Sequence, residues 1–110
     1  MRDTVSDVFS ALGDRTRRDI YEQLLAGSNG RTATELAATA DISRQAIVKH
    51  LQVLVRADLA LTRREGKEVR YFARRDGARG ASQWLNDRNV EWDRRLATLD
   101  KRVRDAPRGP

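Results

Sequence analysis

Within ten residues, Ser43, Arg44, Gln45, Lys49 and Gln52 bring together a hydroxyl, a guanidinium, an ammonium and two carboxamides. These groups hydrogen-bond to phosphates and to base edges: Arg to guanine or phosphate, Gln to adenine in a bidentate way, Lys to either. Wound as a helix, the stretch puts Ile47, Leu51 and Leu54 on one buried stripe and turns Arg44, Gln45, Val48, Lys49 and Gln52 outward. Val48 would offer an apolar surface to a thymine methyl. Solvated helix faces also carry Lys and Gln, so the flanking elements decide the reading. His50, the single histidine, borders the packed stripe. One imidazole cannot supply the three or four ligands zinc takes, which favours a packed, hydrogen-bonded role.

The elements that must position this helix follow from periodicity and caps. Val5, Val8, Phe9 and Leu12 have the spacing of a short amphipathic helix ended by Gly13. Asp14 caps a second helix with Ile20, Leu24 and Leu25 inward, Tyr21 beside them, and Arg15, Arg17, Arg18, Asp19 and Glu22 mostly toward water. Residues 26–30 stop it. Thr32-Ala33-Thr34-Glu35 reads as a capping box opening a short helix, about Ala33 to Thr39. A tight turn at Ala40-Asp41-Ile42 leads to Ser43, which can cap the next helix and meet a phosphate at once. Two helices so joined have the shape of a helix-turn-helix.

Downstream, Ala60–Glu65 and Glu68–Ala73 read as two strands around Gly66-Lys67. The hairpin carries Arg63, Arg64, Lys67 and Arg70, placed to lie along phosphates or enter a flanking minor groove. Arg56, Arg74, Arg75 and Arg79 read as solvated or structural charges. After Asp76-Gly77, one long helix runs from about Ala78 to Val103. Leu85, Trp92, Leu96, Leu99 and Val103 form a coiled-coil-like seam on it, with Trp84 and Val90 to its sides. So long a stripe suits a subunit interface, with Trp84 and Trp92 as packing anchors.

Composition agrees with a nucleic-acid partner. The net charge is +6, and the excess is uneven: residues 1–40 hold five basic and six acidic side chains, residues 41–80 ten and five, residues 81–110 seven and five. The middle third carries the surplus. The chain has no cysteine, which removes disulfides, thiolate metal sites and Cys nucleophiles. No apolar run approaches the roughly 20 residues of a membrane span, and Asp3 and Asp7 stand where a signal peptide would start basic and turn apolar. A cytoplasmic, nucleoid-associated protein is the expectation. The expected fold is mainly α with a small β-hairpin, in the order α-α-α-α-β-β-α: one winged helix-turn-helix domain over residues 1–103, then a disordered tail, 104–110.

With that order assembled, the chain resembles the ArsR family of bacterial winged-helix repressors. The resemblance rests on residues 9–20, from Phe9-Ser10-Ala11-Leu12-Gly13-Asp14 onward, on Ile42 to Leu54, and on Gly66-Lys67-Glu68-Val69-Arg70-Tyr71. It implies a homodimer paired through the first and last helices, here Val5, Val8, Phe9, Leu85, Trp92, Leu96 and Leu99. It also implies an operator of double-stranded DNA with twofold symmetry, usually repressed. The long last helix resembles the branch often encoded beside SRPBCC-type proteins. Metal-sensing members place cysteines on the helix matching Thr34 to Ala37, or Asp and His ligands along the last helix. With no cysteine and one histidine, a zinc or arsenic sensor is disfavoured, and no other effector is named.

Two other functions compete. An enzyme would need a Ser/His/Asp cluster, a glycine-rich phosphate loop or a ligand set, none of which is present, so neither catalysis nor a cofactor is expected. A winged-helix protein-interaction module without DNA readout is the nearer alternative. Such a module has no need of Gln and Lys beside a basic hairpin.

Overall fold

The computed structural model describes residues 3–106. Four helix starts are fixed by side chains that accept an otherwise unpaired backbone amide. Asp3 accepts from Ser6 N ahead of α1 (Thr4–Leu12), and Asp14 from Arg17 N ahead of α2 (Arg15–Ala26), each at 3.0 Å. Thr32 Oγ1 accepts from Glu35 N at 3.1 Å to open α3 (Ala33–Ala38), and Ser43 Oγ accepts from Ala46 N at 3.1 Å to open α4 (Arg44–Arg56). At Thr32 the capping box differs from expectation in one bond. The Glu35 carboxylate accepts the Thr32 hydroxyl proton at 3.2 Å.

Thr32 also belongs to a strand that periodicity did not announce. β1 (Arg31–Thr32), β2 (Ala60–Glu65) and β3 (Glu68–Ala73) form an antiparallel sheet in the order β1-β3-β2. Two residues are too few to show an alternating pattern. What admits β1 is Gly30, at φ +70°, whose missing β-carbon would sit 2.9 Å from both the Phe72 ring and the Tyr71 carbonyl oxygen. The hairpin otherwise has the expected bounds, with Gly66-Lys67 at its tip.

The core gathers Leu24, Leu36, Ile47, Leu51, Leu54 and Leu59, all fully buried, so α2, α3 and α4 meet the root of the hairpin. Val8 lies in the same cluster at 2% exposure, which corrects its expected place on the dimer surface. Its side chain is already spent on the chain's own core.

A short 3-10 turn (Arg75–Ala78) leads into α5 (Arg79–Asp105), which extends two residues past the expected Val103. Residues 107–110 of the expected tail lie outside the described residues. Ala81 is the one buried side chain of α5, and beyond it the helix leaves the domain. The molecule measures 77 × 32 × 25 Å with a radius of gyration of 20.4 Å. A compact domain of this length would have about 13 Å. The difference is the projecting arm.

Candidate nucleic-acid interface

α4 has two chemically distinct faces. Ile47, Leu51 and Leu54 are wholly buried, while Ser43, Arg44, Gln45, Lys49 and Gln52 are exposed. Val48 is intermediate: it packs against the core and lines a groove with Thr34, Arg44, Lys67, Val69 and Tyr71, so only part of it faces outward. That groove is the seam between α4 and the hairpin. The Arg44 Nε donates to Thr34 Oγ1 at 3.2 Å, fastening the start of α4 to α3.

Behind α4, Arg17 does what its sequence position did not suggest. Expected to point mostly to water, it is half-buried: its Nε donates to the Ala11 carbonyl at 2.7 Å and its Nη2 to the Ser10 carbonyl at 3.2 Å. Arg18 Nη1 likewise donates to the Leu12 carbonyl at 2.7 Å. Two arginines in the first turn of α2 therefore satisfy the orphan carbonyls at the end of α1. Arg17 Nη1 also lies 3.4 Å from His50 Nδ1, tying α1, α2 and α4 together. With Arg17 donating, Nδ1 is the acceptor and the ring proton sits on Nε2. The expected packed, hydrogen-bonded histidine is what the geometry shows.

The Asp14 carboxyl is held below its ordinary range by the backbone amide of Arg17, with burial opposing and the charge of Arg17 adding to the lowering. Partial burial raises the Tyr21 hydroxyl.

The hairpin divides its cations between two faces. Arg63 pairs with Arg70 across the strands and Arg64 with Val69, so neighbouring side chains point to opposite sides of the ribbon. Lys67 sits in the turn between the strands. Arg63 lies over the Phe72 ring, 5.8 Å from its centroid. Arg70 differs from the rest. Its guanidinium is ion-paired with Glu35 at 3.4 Å, Glu68 at 3.5 Å and Glu65 at 3.6 Å, and donates to the Asn29 carbonyl at 3.3 Å. It therefore stands apart from the outward cations with which the sequence grouped it. The carboxylates of residues 35, 65 and 68 were the available signal. Arg74, read as a solvated or structural charge, is structural: it pairs with Asp76 at 3.2 Å and Asp58 at 3.6 Å.

Elsewhere, α1 meets the start of α5. The Phe9 and Trp84 rings pack edge to face at 5.7 Å, and Arg88 covers the Trp84 ring at 4.7 Å. Val5 is half-buried there, with Phe9 exposed at the rim. Farther out, Leu85, Trp92, Leu96 and Leu99 are 44–58% exposed along the arm. An apolar row this open would be costly for a chain that stayed alone in water.

Among the described residues, no three His, Asp or Glu side chains gather to hold a metal ion, and no helix is long and apolar enough to cross a membrane.

This geometry has close parallels. A family model described as a helix-turn-helix domain matches residues 12–64. The chain is 38% identical over 69 residues to a probable mercury resistance operon repressor of Streptomyces lividans, a match covering 63% of this chain. The chain spans about half of that protein's length, 54%. Among solved structures, an ArsR-like transcriptional regulator from Rhodococcus sp. RHA1 superposes with a TM-score of 0.74 at 37% identity, over 89% of this chain and 91% of that one. The homodimeric winged helix-turn-helix DNA-binding domain of a possible ArsR-family regulator from Mycobacterium bovis superposes with a TM-score of 0.64 at 28% identity, over 77% and 80% of the two chains.

Proposed function

Because this chain belongs to the ArsR-like family of winged helix-turn-helix transcriptional regulators, we propose that it is a homodimer that reads a twofold-symmetric operator and represses its own or a neighbouring operon. The observation that carries this reading is the division of α4, with Ile47, Leu51 and Leu54 buried and Gln45, Lys49 and Gln52 exposed on the opposite side. A helix held so firmly from behind can enter a major groove without giving up any of its own packing.

Within that reading each outward group has a task. Gln45 pairs with adenine, Lys49 and Gln52 reach bases or backbone, and the Arg44 guanidinium bonds guanine or phosphate with the nitrogens its Thr34 bond leaves over. Ser43 keeps its hydroxyl proton for a phosphate while its oxygen caps the helix. The exposed part of Val48 meets a thymine methyl. Arg63, Arg64 and Lys67 follow the flanking phosphates. Arg70, held by three carboxylates, is withdrawn from this list.

Val5, Phe9, Leu85, Trp92, Leu96 and Leu99 form the subunit interface. The homodimeric Mycobacterium bovis domain supports this assignment, and the exposed row on α5 supplies its apolar surface. Residues 1–103 then act as one DNA-binding and dimerisation unit, working on the nucleoid in the cytoplasm. Mercury belongs to the name of the Streptomyces lividans protein and is not carried over, since this chain offers no thiolate.

The test is footprinting and a gel shift on the DNA upstream of the chain's own coding sequence, with unrelated duplex as competitor. A protected, twofold-symmetric site that survives competitor at moderate salt is expected. Binding that competitor abolishes would sink the reading and favour a protein-interaction module.

A further inference from the structure

Arg70 sits at the fulcrum of the hairpin. β1 pairs with β3 only at Arg31↔Tyr71 and Thr32↔Arg70, so residues 64–69, with Arg64 and Lys67, extend beyond the three-stranded part of the sheet. One guanidinium at that fulcrum reaches Glu35 in the first turn of α3, Glu65 and Glu68 on either side of the tip, and the Asn29 carbonyl in the loop before β1. Single pairs this exposed hold little, but a planar fork with several acceptors fixes direction as well as distance. Three carboxylates around one cation also leave a local negative excess, which is a poor surface for a phosphate.

We propose that Arg70 is a positioning residue: it clasps the hairpin to α3 and sets the angle between the hairpin tip and α4, so that both engage one operator together. The proposal rests on the DNA-binding reading above. A loosened hairpin still finds phosphates on any duplex, because Arg64 and Lys67 keep their charge. It loses the pre-set angle that makes the operator the better fit.

Charge sign separates this from simple electrostatics. Glu35→Gln removes a negative charge near the proposed DNA face, so without a clasp it should tighten binding to every duplex. With a clasp it weakens operator binding. Fluorescence anisotropy of Arg70→Gln, Glu35→Gln and the double variant, on the footprinted operator and a scrambled duplex across salt, reads the difference. Circular dichroism verifies the fold.

Each single variant is expected to lose about fivefold on the operator and nothing on the scrambled duplex, with the salt slope unchanged and the double variant no worse than either single. Arg70→Lys, a charge without the fork, should recover only part of the loss. Equal loss on both duplexes with a salt slope lower by about one would make Arg70 a direct phosphate contact and overturn the proposal. Tighter binding of both duplexes by Glu35→Gln would overturn it too. If the wild-type protein shows no operator preference, the DNA-binding reading itself has failed. Amide relaxation of the free protein then decides the clasp alone: residues 64–69 should gain motion in Arg70→Gln, and unchanged order there would refute it.

Discussion

The α-carbon of Gly77 packs directly onto the backbone carbonyl of Asp58: an added β-carbon would lie 2.6 Å from the Asp58 carbonyl carbon and overlap its oxygen. Asp58 follows the end of α4, in a left-handed conformation at φ 60°, and Gly77 precedes α5. This contact therefore sets where the arm departs relative to the helix proposed to read DNA. The Arg74 amide, bonded to the Leu59 carbonyl at 2.9 Å, and the Arg74–Asp58 ion pair at 3.6 Å brace the same junction.

Gly77→Ala should cost about 2–3 kcal/mol in urea unfolding, because the obstructing atoms are backbone and cannot rotate away. Gly80→Ala is the control. A β-carbon at 80 meets only Val5 Cγ2 at an ordinary 3.8 Å, and the helix gains propensity of up to about 1 kcal/mol. Equal stability of the two variants would mean that the Asp58–Gly77 junction relaxes freely.

The Asp14 cap predicts an acid-sensitive component of stability. Its folded-state pKa lies below the ordinary aspartate value of about 3.8, so the unfolded chain takes up the proton first as pH falls. The cap's contribution is complete above that range and disappears as pH drops through the folded-state value. Melting curves of wild type and Asp14→Ala should accordingly differ most at neutral pH and converge below about pH 3.8. A gap that stays constant down to pH 2 would show that the carboxylate charge plays no part.

Exposed side chains on α4 and on the hairpin should fail differently. Gln45→Ala should cost about 1–3 kcal/mol on the operator and relax preference at one base position. Arg64→Ala should weaken operator and random duplex alike and lower the salt slope by about one. Equal loss on both duplexes for Gln45→Ala would show that it reads no base.

The arm predicts the oligomeric state. Leu96 is 44% exposed in the single chain, on the same helix as Trp92 and Leu99, and a carboxylate there would be desolvated in a dimer. Leu96→Glu should sediment as a monomer with an unchanged fold. A variant that remains dimeric would place the interface elsewhere.

By itself the sequence determined the elements whose causes are local. Asp14, Thr32 and Ser43 announced their helices because a capping side chain bonds an amide three residues away. Ile47, Leu51 and Leu54 announced the buried side of α4, and with it the polar face, because helical spacing alone puts them together. The hairpin bounds followed from two strand-like runs around Gly66-Lys67.

Only the tertiary structure decided matters between segments distant in the chain. β1 exists because Gly30 lets residues 31–32 reach β3, some forty positions away. Val8, on a stripe with Val5 and Phe9, became core because α1 is rotated to bury it and leave Phe9 against Trp84. Arg17 and Arg70 share the residue type of their exposed neighbours, yet one caps the carbonyls of α1 and the other is held by Glu35, Glu65 and Glu68. An arginine's charge is written in the sequence. Its partners are set by which carbonyls and carboxylates the fold brings within about 3–4 Å of it.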